Sequence, residues 1–310
     1  MALVAASDRR ERPVKRLAAL AFALLAPVLA SAQYNSFMNY AAGTAPSYEG
    51  LWWNSAESGW GLSIAHQGDV LFAVWYTFDH DGSPMWLVMP DAQLANDDMG
   101  DMTGMGDMEM MMGMTRNPPM YTGTLYRSSM ASKKLVMTEV GMGTVLFKDR
   151  NHGVFAYTVG DVAGSKEVTR MVFDAAAPSC SLGGAKGAAE NYSDLWFNPA
   201  ETGWGLNLVQ QGDIVFGTYF TYDAQGKGEW LVMPDARKSG STYSGVLARA
   251  HGPAFDAPWD SSKVSVTPIG SGSMSFQSPA LGSFNLMQDG APYARSLVRM
   301  QFAAPATVCH

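Results

Sequence analysis

Tyr48 to Gln93 reads YEGLWWNSAESGWGLSIAHQGDVLFAVWYTFDHDGSPMWLVMPDAQ, and Tyr192 to Arg237 reads YSDLWFNPAETGWGLNLVQQGDIVFGTYFTYDAQGKGEWLVMPDAR. The two stretches align without a gap at an offset of 144. Downstream, Tyr121-Thr122-Gly123 meets Tyr243-Ser244-Gly245 at an offset of 122, and Val140-Gly141-Met142-Gly143 meets Ile269-Gly270-Ser271-Gly272 at 129. Arg170-Met171-Val172-Phe173 then meets Arg299-Met300-Gln301-Phe302, and Cys180 meets Cys309, still at 129. The chain is therefore a duplication along its whole length, with 22 extra residues in the first copy before Tyr121 and 7 extra in the second between Tyr243 and Ile269. A repeat this long is a domain; propeller blades run to roughly 40–50 residues.

Within the second copy, strand signals cover Gly203 to Gln210, Asp213 to Asp223, Glu229 to Asp235, Thr242 to Ala248, Lys263 to Ile269, Ser271 to Gln277, Leu281 to Met287 and Tyr293 to Phe302. Turn formers separate them, including Gln211-Gly212-Asp213 and Asp223 to Gly226, with Asp79 to Gly82 in the first copy. Ile214, Phe216, Thr218, Phe220 and Tyr222 share one face at a period of two, as do Val70, Phe72, Val74, Tyr76 and Phe78. No segment beyond residue 32 carries a long 3.6-residue apolar pattern. The expectation is all-β: two tandem antiparallel meander domains, barrel or sandwich, of about eight strands each, over 33–183 and 184–310. Ala185 to Asn191 reads as the connector.

Residues 9–16 are basic, Leu17 to Leu29 is a 13-residue apolar run, and Ala30-Ser31-Ala32 supplies small residues at a cleavage site. Residues 1–32 thus read as a secretory signal peptide cut before Gln33, which predicts a periplasmic or secreted protein with no membrane span. The whole chain carries a formal charge of −7; without the five bases and two acids of the leader, 16 bases face 26 acids, a charge of −10. That balance excludes a nucleic-acid partner. With 47% hydrophobic residues and only two cysteines, the chain is neither disordered throughout nor a disulfide framework. The two cysteines, Cys180 and Cys309, could close one disulfide in an oxidising compartment.

The segments WWNSAESGWG (Trp52 to Gly61) and WFNPAETGWG (Trp196 to Gly205), each followed by QGD and WLVMPD, resemble a repeat of exported proteobacterial proteins. The resemblance covers both domains and implies export and tandem β-domains, with no established activity. A looser likeness, to avidin-like and lipocalin-like calyces, is one of fold alone. Two readings of the motif stand. Trp52, Asn54, Glu57 and Trp60, with Trp196, Asn198, Glu201 and Trp204, could form an aromatic platform with polar groups for a small molecule or glycan. Alternatively, Asn-x-x-Glu-x-Gly forms a turn bonded to its own backbone, with tryptophans that pack.

No Ser-His-Asp or Cys-His arrangement emerges, so no enzyme activity is expected. Glu57 with Asp69, and Glu201 with Asp213, are the only repeated acids worth testing as pairs. His66 and His80 align with Gln210 and Ala224 and read as surface turn residues.

The 22 extra residues fall in LANDDMGDMTGMGDMEMMMGMTRNPPM, near residues 94–120. Met99, Met102, Met105, Met108, Met110, Met111, Met112, Met114 and Met120 are nine of the 21 methionines in the chain. Asp97, Asp98, Asp101, Asp107 and Glu109 accompany them, with no His or Cys. Thioether sulfur is a soft neutral ligand, so several within reach select Cu(I) or Ag(I) over zinc, calcium or magnesium. Neighbouring carboxylates offset the charge of the ion. The composition resembles methionine-rich segments of exported copper-resistance proteins. Sacrificial oxidation of the methionines and a tolerated low-complexity loop are the competing readings. The sequence thus predicts an exported protein that binds Cu(I) or Ag(I) through Met99 to Met114, buffering or handing on the metal. The alternative is a small-molecule or glycan-binding pair of β-barrels with an incidental loop.

Overall fold

The computed structural model describes residues 45–95, 118–175, 177–183 and 191–309. After a short β1 (Ala45–Pro46), the first barrel comprises β2 (Gly50–Trp53), β3 (Gly61–Gln67), β4 (Val70–Phe78), β5 (Pro84–Leu94), β6 (Met120–Ala131), β7 (Lys134–Phe147), β8 (His152–Val159) and β9 (Val162–Arg170). Next comes β10 (Cys180–Leu182). The second barrel comprises β11 (Asp194–Asn198), β12 (Glu201–Gln211), β13 (Ile214–Tyr222), β14 (Gly228–Ser239), β15 (Thr242–His251), β16 (Ser265–Ser278), β17 (Leu281–Gln288) and β18 (Ala291–Arg299), followed by β19 (Thr307–Cys309). Each set of eight is a closed antiparallel meander. Trp52 pairs with Arg170 to close the first barrel, and Trp196 pairs with Arg299 to close the second. Full closure removes the exposed strand edges that an open sheet would offer for aggregation.

Two strand expectations are corrected. The segments on either side of Gly270 are one continuous strand, β16. Gly270 marks a bulge, where the pairing with β15 slips between Leu247 and Ala248, and a Cβ there would strike the Met287 carbonyl. Strand β11, absent from the sequence reading, runs into the turn motif itself.

Inside each barrel, alternate side chains fill the lumen. On β4, Leu71, Ala73 and Trp75 point inward to pack with Trp60, Leu87 and Phe155. The other face, carrying Phe72, Val74, Tyr76 and Phe78, packs against Leu195, Val209, Phe220, Trp230 and Val232 of the second barrel. A strand buried on both faces reads as an unbroken apolar run, as VLFAVWYTF does.

The contact between the barrels repeats the duplication as a pseudo-two-fold exchange. Trp86 Nε1 donates to the Thr221 carbonyl at 3.3 Å, and its counterpart Trp230 donates to the Thr77 carbonyl at 2.8 Å. The Gln67 amide donates to the Met300 carbonyl and accepts from the backbone of Phe302 and Ala303. Gln211 makes the same three bonds to Met171, Phe173 and Asp174. These buried amides satisfy backbone groups that would otherwise lose water without compensation.

Strands β1, β10 and β19 form a separate three-stranded sheet. Cys180 and Cys309 are directly opposed in it and joined as a disulfide. This sheet gathers the segment before the first barrel, the segment between the barrels and the segment after the second. At the same end of the first barrel, β5 and β6 pair at Leu94 and Tyr121, and the Ala95 N–H donates to the Met120 carbonyl. The equivalent β14–β15 connection is a two-residue turn, Gly240-Ser241, with Ser239 paired to Thr242.

Candidate functional site

The Asn-x-x-Glu segments form turns at one end of each barrel, here called the mouth. Asn54 Oδ1 accepts from the Ala56 N–H at 3.0 Å, and Asn198 Oδ1 accepts from Ala200 at 3.0 Å. Each turn aims its glutamate at a tryptophan. Glu57 Oε2 accepts from Trp60 Nε1 at 3.0 Å and from Lys166 Nζ at 2.7 Å, while Lys166 lies 4.9 Å from the Trp60 ring centroid. In the second barrel Glu201 Oε2 accepts from Trp204 Nε1 at 3.0 Å and pairs with Arg295, whose guanidinium lies 4.6 Å from the Trp204 ring. The motif is thus a backbone-bonded turn that builds a Glu–Trp–base triad. The base lies 109 residues beyond Glu57 in the first copy and 94 beyond Glu201 in the second. No local motif reveals it; the repeat alignment, which pairs Lys166 with Arg295, does.

Trp52 and Trp196 are enclosed in the barrel interior and offer no exposed platform, which corrects the ligand role considered for them. Each is fully buried. Trp52 Nε1 donates to the Tyr48 carbonyl, Phe147 packs at 4.9 Å and the Arg170 guanidinium sits 4.8 Å from the ring centroid. Trp196 repeats this with Tyr192, Phe276 and Arg299. Strand length separates the repeated acids. Glu57 precedes β3 and Asp69 follows it, so seven strand residues, on the order of 20 Å, hold them apart and they form no catalytic pair. Glu201 and Asp213 flank β12 likewise.

The two mouths differ in what lies over them. Residues 252–264, which contain the seven extra residues of the second copy, leave β15 and lie across the first barrel. The Phe255 N–H donates to the Phe78 carbonyl at 3.0 Å, and Trp259 Nε1 donates to the Ser58 carbonyl at 3.2 Å. Phe255 is buried against Trp75 and Tyr157, and Trp259 stands edge-on to Trp60. In the first copy the equivalent connection is the two-residue turn Ser132-Lys133. The mouth of the second barrel carries a charge pair of its own: Arg249 Nε pairs with Glu229 at 3.1 Å, and its terminal nitrogen reaches Asp289 at 3.4 Å. Burial raises the Glu229 carboxyl above the ordinary range, against the attraction of Arg249.

His66 is buried, which corrects the expectation of a surface turn. Its Nδ1 accepts from the Tyr48 N–H at 3.1 Å and Nε2 lies 3.2 Å from the Tyr121 hydroxyl, the arrangement of a neutral Nε2–H tautomer. Gln210 does the same work in the second barrel, accepting from the Tyr192 N–H at 3.0 Å. His80 is exposed, and contact with Asp256 of the crossing segment raises its pKa.

Near the three-stranded sheet, burial and the nearby Asp194 hold the Glu49 carboxyl well above its usual range. A raised acid pKa means that the folded state keeps a proton the unfolded chain has lost, so stability falls as pH rises above about 4.5. Glu49→Gln is therefore expected to raise the melting temperature at pH 8 and to change it little at pH 4. Equal melting curves of the two proteins at both pH values would refute this.

Met99, Met102, Met105, Met108, Met110, Met111, Met112 and Met114 lie outside the described residues. Among the described residues no group of three or more His, Cys, Asp and Glu is placed to hold a metal ion, and no helix is long and apolar enough to cross a membrane. Comparison with protein-family models, curated proteins and solved structures finds no match to this chain.

Proposed function

We propose that this is an exported Cu(I)- or Ag(I)-binding protein that buffers the ion or hands it on through the methionine-rich connection between β5 and β6. The observation that carries the reading is one of composition: eight thioethers from Met99 to Met114, with five carboxylates and no histidine or cysteine, in a single connection. Soft neutral sulfur discriminates for monovalent soft ions, and it keeps its lone pairs in acid and in an oxidising compartment. Export rests on the leader at residues 1–32.

The scaffold supports a division of labour. The connection leaves and rejoins the barrel where β5 and β6 are paired, and the equivalent point in the second barrel is closed by two residues. Among the described residues, the rings that fill the first barrel and Phe255 across its mouth pack on one another as a single cluster.

The test is competition with a Cu(I)-selective chelator. The reduced, mature protein is expected to retain more than one equivalent of Cu(I). A variant with serine at all eight positions from Met99 to Met114 is expected to retain none, at an unchanged melting temperature. Equal retention by the two proteins would remove the reading.

A further inference from the structure

We propose that the mouth of the second barrel is a saccharide-binding site that takes a neutral, hydroxyl-rich sugar ring against Tyr293, Arg249 and Arg295. The duplication supplies an internal comparison. In the first barrel the Glu57–Trp60–Lys166 triad lies beneath Phe255 and Trp259, so a mouth of this design accommodates aromatic rings laid across it. The second barrel keeps the triad as Glu201, Trp204 and Arg295, but the turn that corresponds to the crossing segment is only Ser132-Lys133. Its tip reaches Gly203, where Met130 and Leu135 pack beside the mouth.

The polar groups there point to the ligand class. Three carboxylates meet two guanidiniums, and every one is in an ion pair: Glu201 with Arg295, and Glu229 and Asp289 with Arg249. An anion would meet a net negative charge and would have to break a pair to bind. A hydroxyl can donate to a carboxylate and accept from the adjacent guanidinium while all three pairs persist. In the first barrel Arg127 takes the place of Arg249 but pairs with Asp79, and Met85 and Gly160 stand where the second barrel has Glu229 and Asp289.

The aromatic part is Tyr293. It pairs with Leu286 on β17 and belongs to the row of β18 that continues through Arg295 to the buried Leu297. Its side of the sheet is therefore the lumen side, at the rim, yet it remains 45% exposed. In the first barrel Gly164 takes this place, and the ring of Tyr157 occupies the space beside it. An exposed ring beside paired charges suits the apolar face and hydroxyl edge of a pyranose.

Saturation-transfer NMR with cellobiose, chitobiose and maltotriose, each at millimolar concentration, tests the assignment on the intact mature protein. At least one of the three is expected to show transfer, with affinity reduced tenfold or more by Tyr293→Ala and by Arg249→Gln. It should be unaffected by Trp259→Ala over the first barrel or by serine replacement of the eight methionines. Tyr293 is a rim residue, so unchanged near-ultraviolet circular dichroism of Tyr293→Ala will separate loss of binding from loss of fold. Absence of transfer from all three sugars, or equal binding by Tyr293→Ala, overturns the proposal. So does binding of a peptide of residues 253–260 at Tyr293 with no sugar response.

Discussion

Cys180→Ser with Cys309→Ser is expected to lower the unfolding free energy by about 5 kcal/mol, because the bond closes a loop spanning 129 residues in the unfolded chain. For a protein of this size that corresponds to a fall in melting temperature of roughly 8–10 °C. The loss arises chiefly through the unfolded ensemble, which gains freedom when the cross-link is gone. The barrels themselves close through their own ladders, at Trp52 with Arg170 and Trp196 with Arg299. Hydrogen exchange should therefore quicken first in β1, β10 and β19, and last in β4 and β13. Thermal unfolding of the wild type with and without dithiothreitol gives the check: the reduced wild type should melt with the double variant. A shift under 2 °C would show that the three-stranded sheet contributes the constraint without the bond.

The second large effect is on acid stability. Burial lowers the His66 pKa to about 3, whereas an unfolded histidine titrates near 6.5. The unfolded chain therefore binds a proton that the folded one refuses between these values. Stability from this group is full above pH 6.5 and is lost as pH falls toward 3, by on the order of 4 kcal/mol across the window. Arg170 adds to the shift by repelling the imidazolium, while Tyr48 and Tyr121 supply bonds that suit the neutral ring. His66→Gln borrows the side chain already used at Gln210 and should remove this slope. Unfolding free energies from urea titration at pH 7.5 and pH 4.5 are expected to differ by about 3 kcal/mol more in wild type than in His66→Gln. Parallel behaviour of the two proteins would mean that the acid lability lies elsewhere.

Why Gln210 can predict the behaviour of a variant at His66 is also why much of the fold was legible in the sequence. The offsets of 144, 122 and 129 define equivalent positions, and the period of two along Val70 to Phe78 defines a strand. What periodicity could not state was which face looks inward. Phe72 and Val74 look as apolar as Leu71 and Trp75, because a second barrel covers the face that is usually wet. Gly270 was misleading for a related reason, since a glycine marks a bulge as readily as a turn. The site was legible only in part. Glu57 and Trp60 announce themselves within one short motif, but their base, Lys166, comes from β9. Phe255 and Trp259 come from the other domain altogether. Only the seven-residue surplus before Ile269 hinted that one copy had something to lay across its neighbour.

The closed pairing of Leu94 with Tyr121 has a practical corollary. A connection that starts and finishes on adjacent rungs imposes no length on what it carries, and loop-closure entropy grows only by about 0.6 kcal/mol for each doubling of length. The position is a natural display site. Peptides of unrelated composition could be exchanged there as interchangeable cassettes, with the barrel serving as a rigid handle and its neighbour as an unaltered reference for folding.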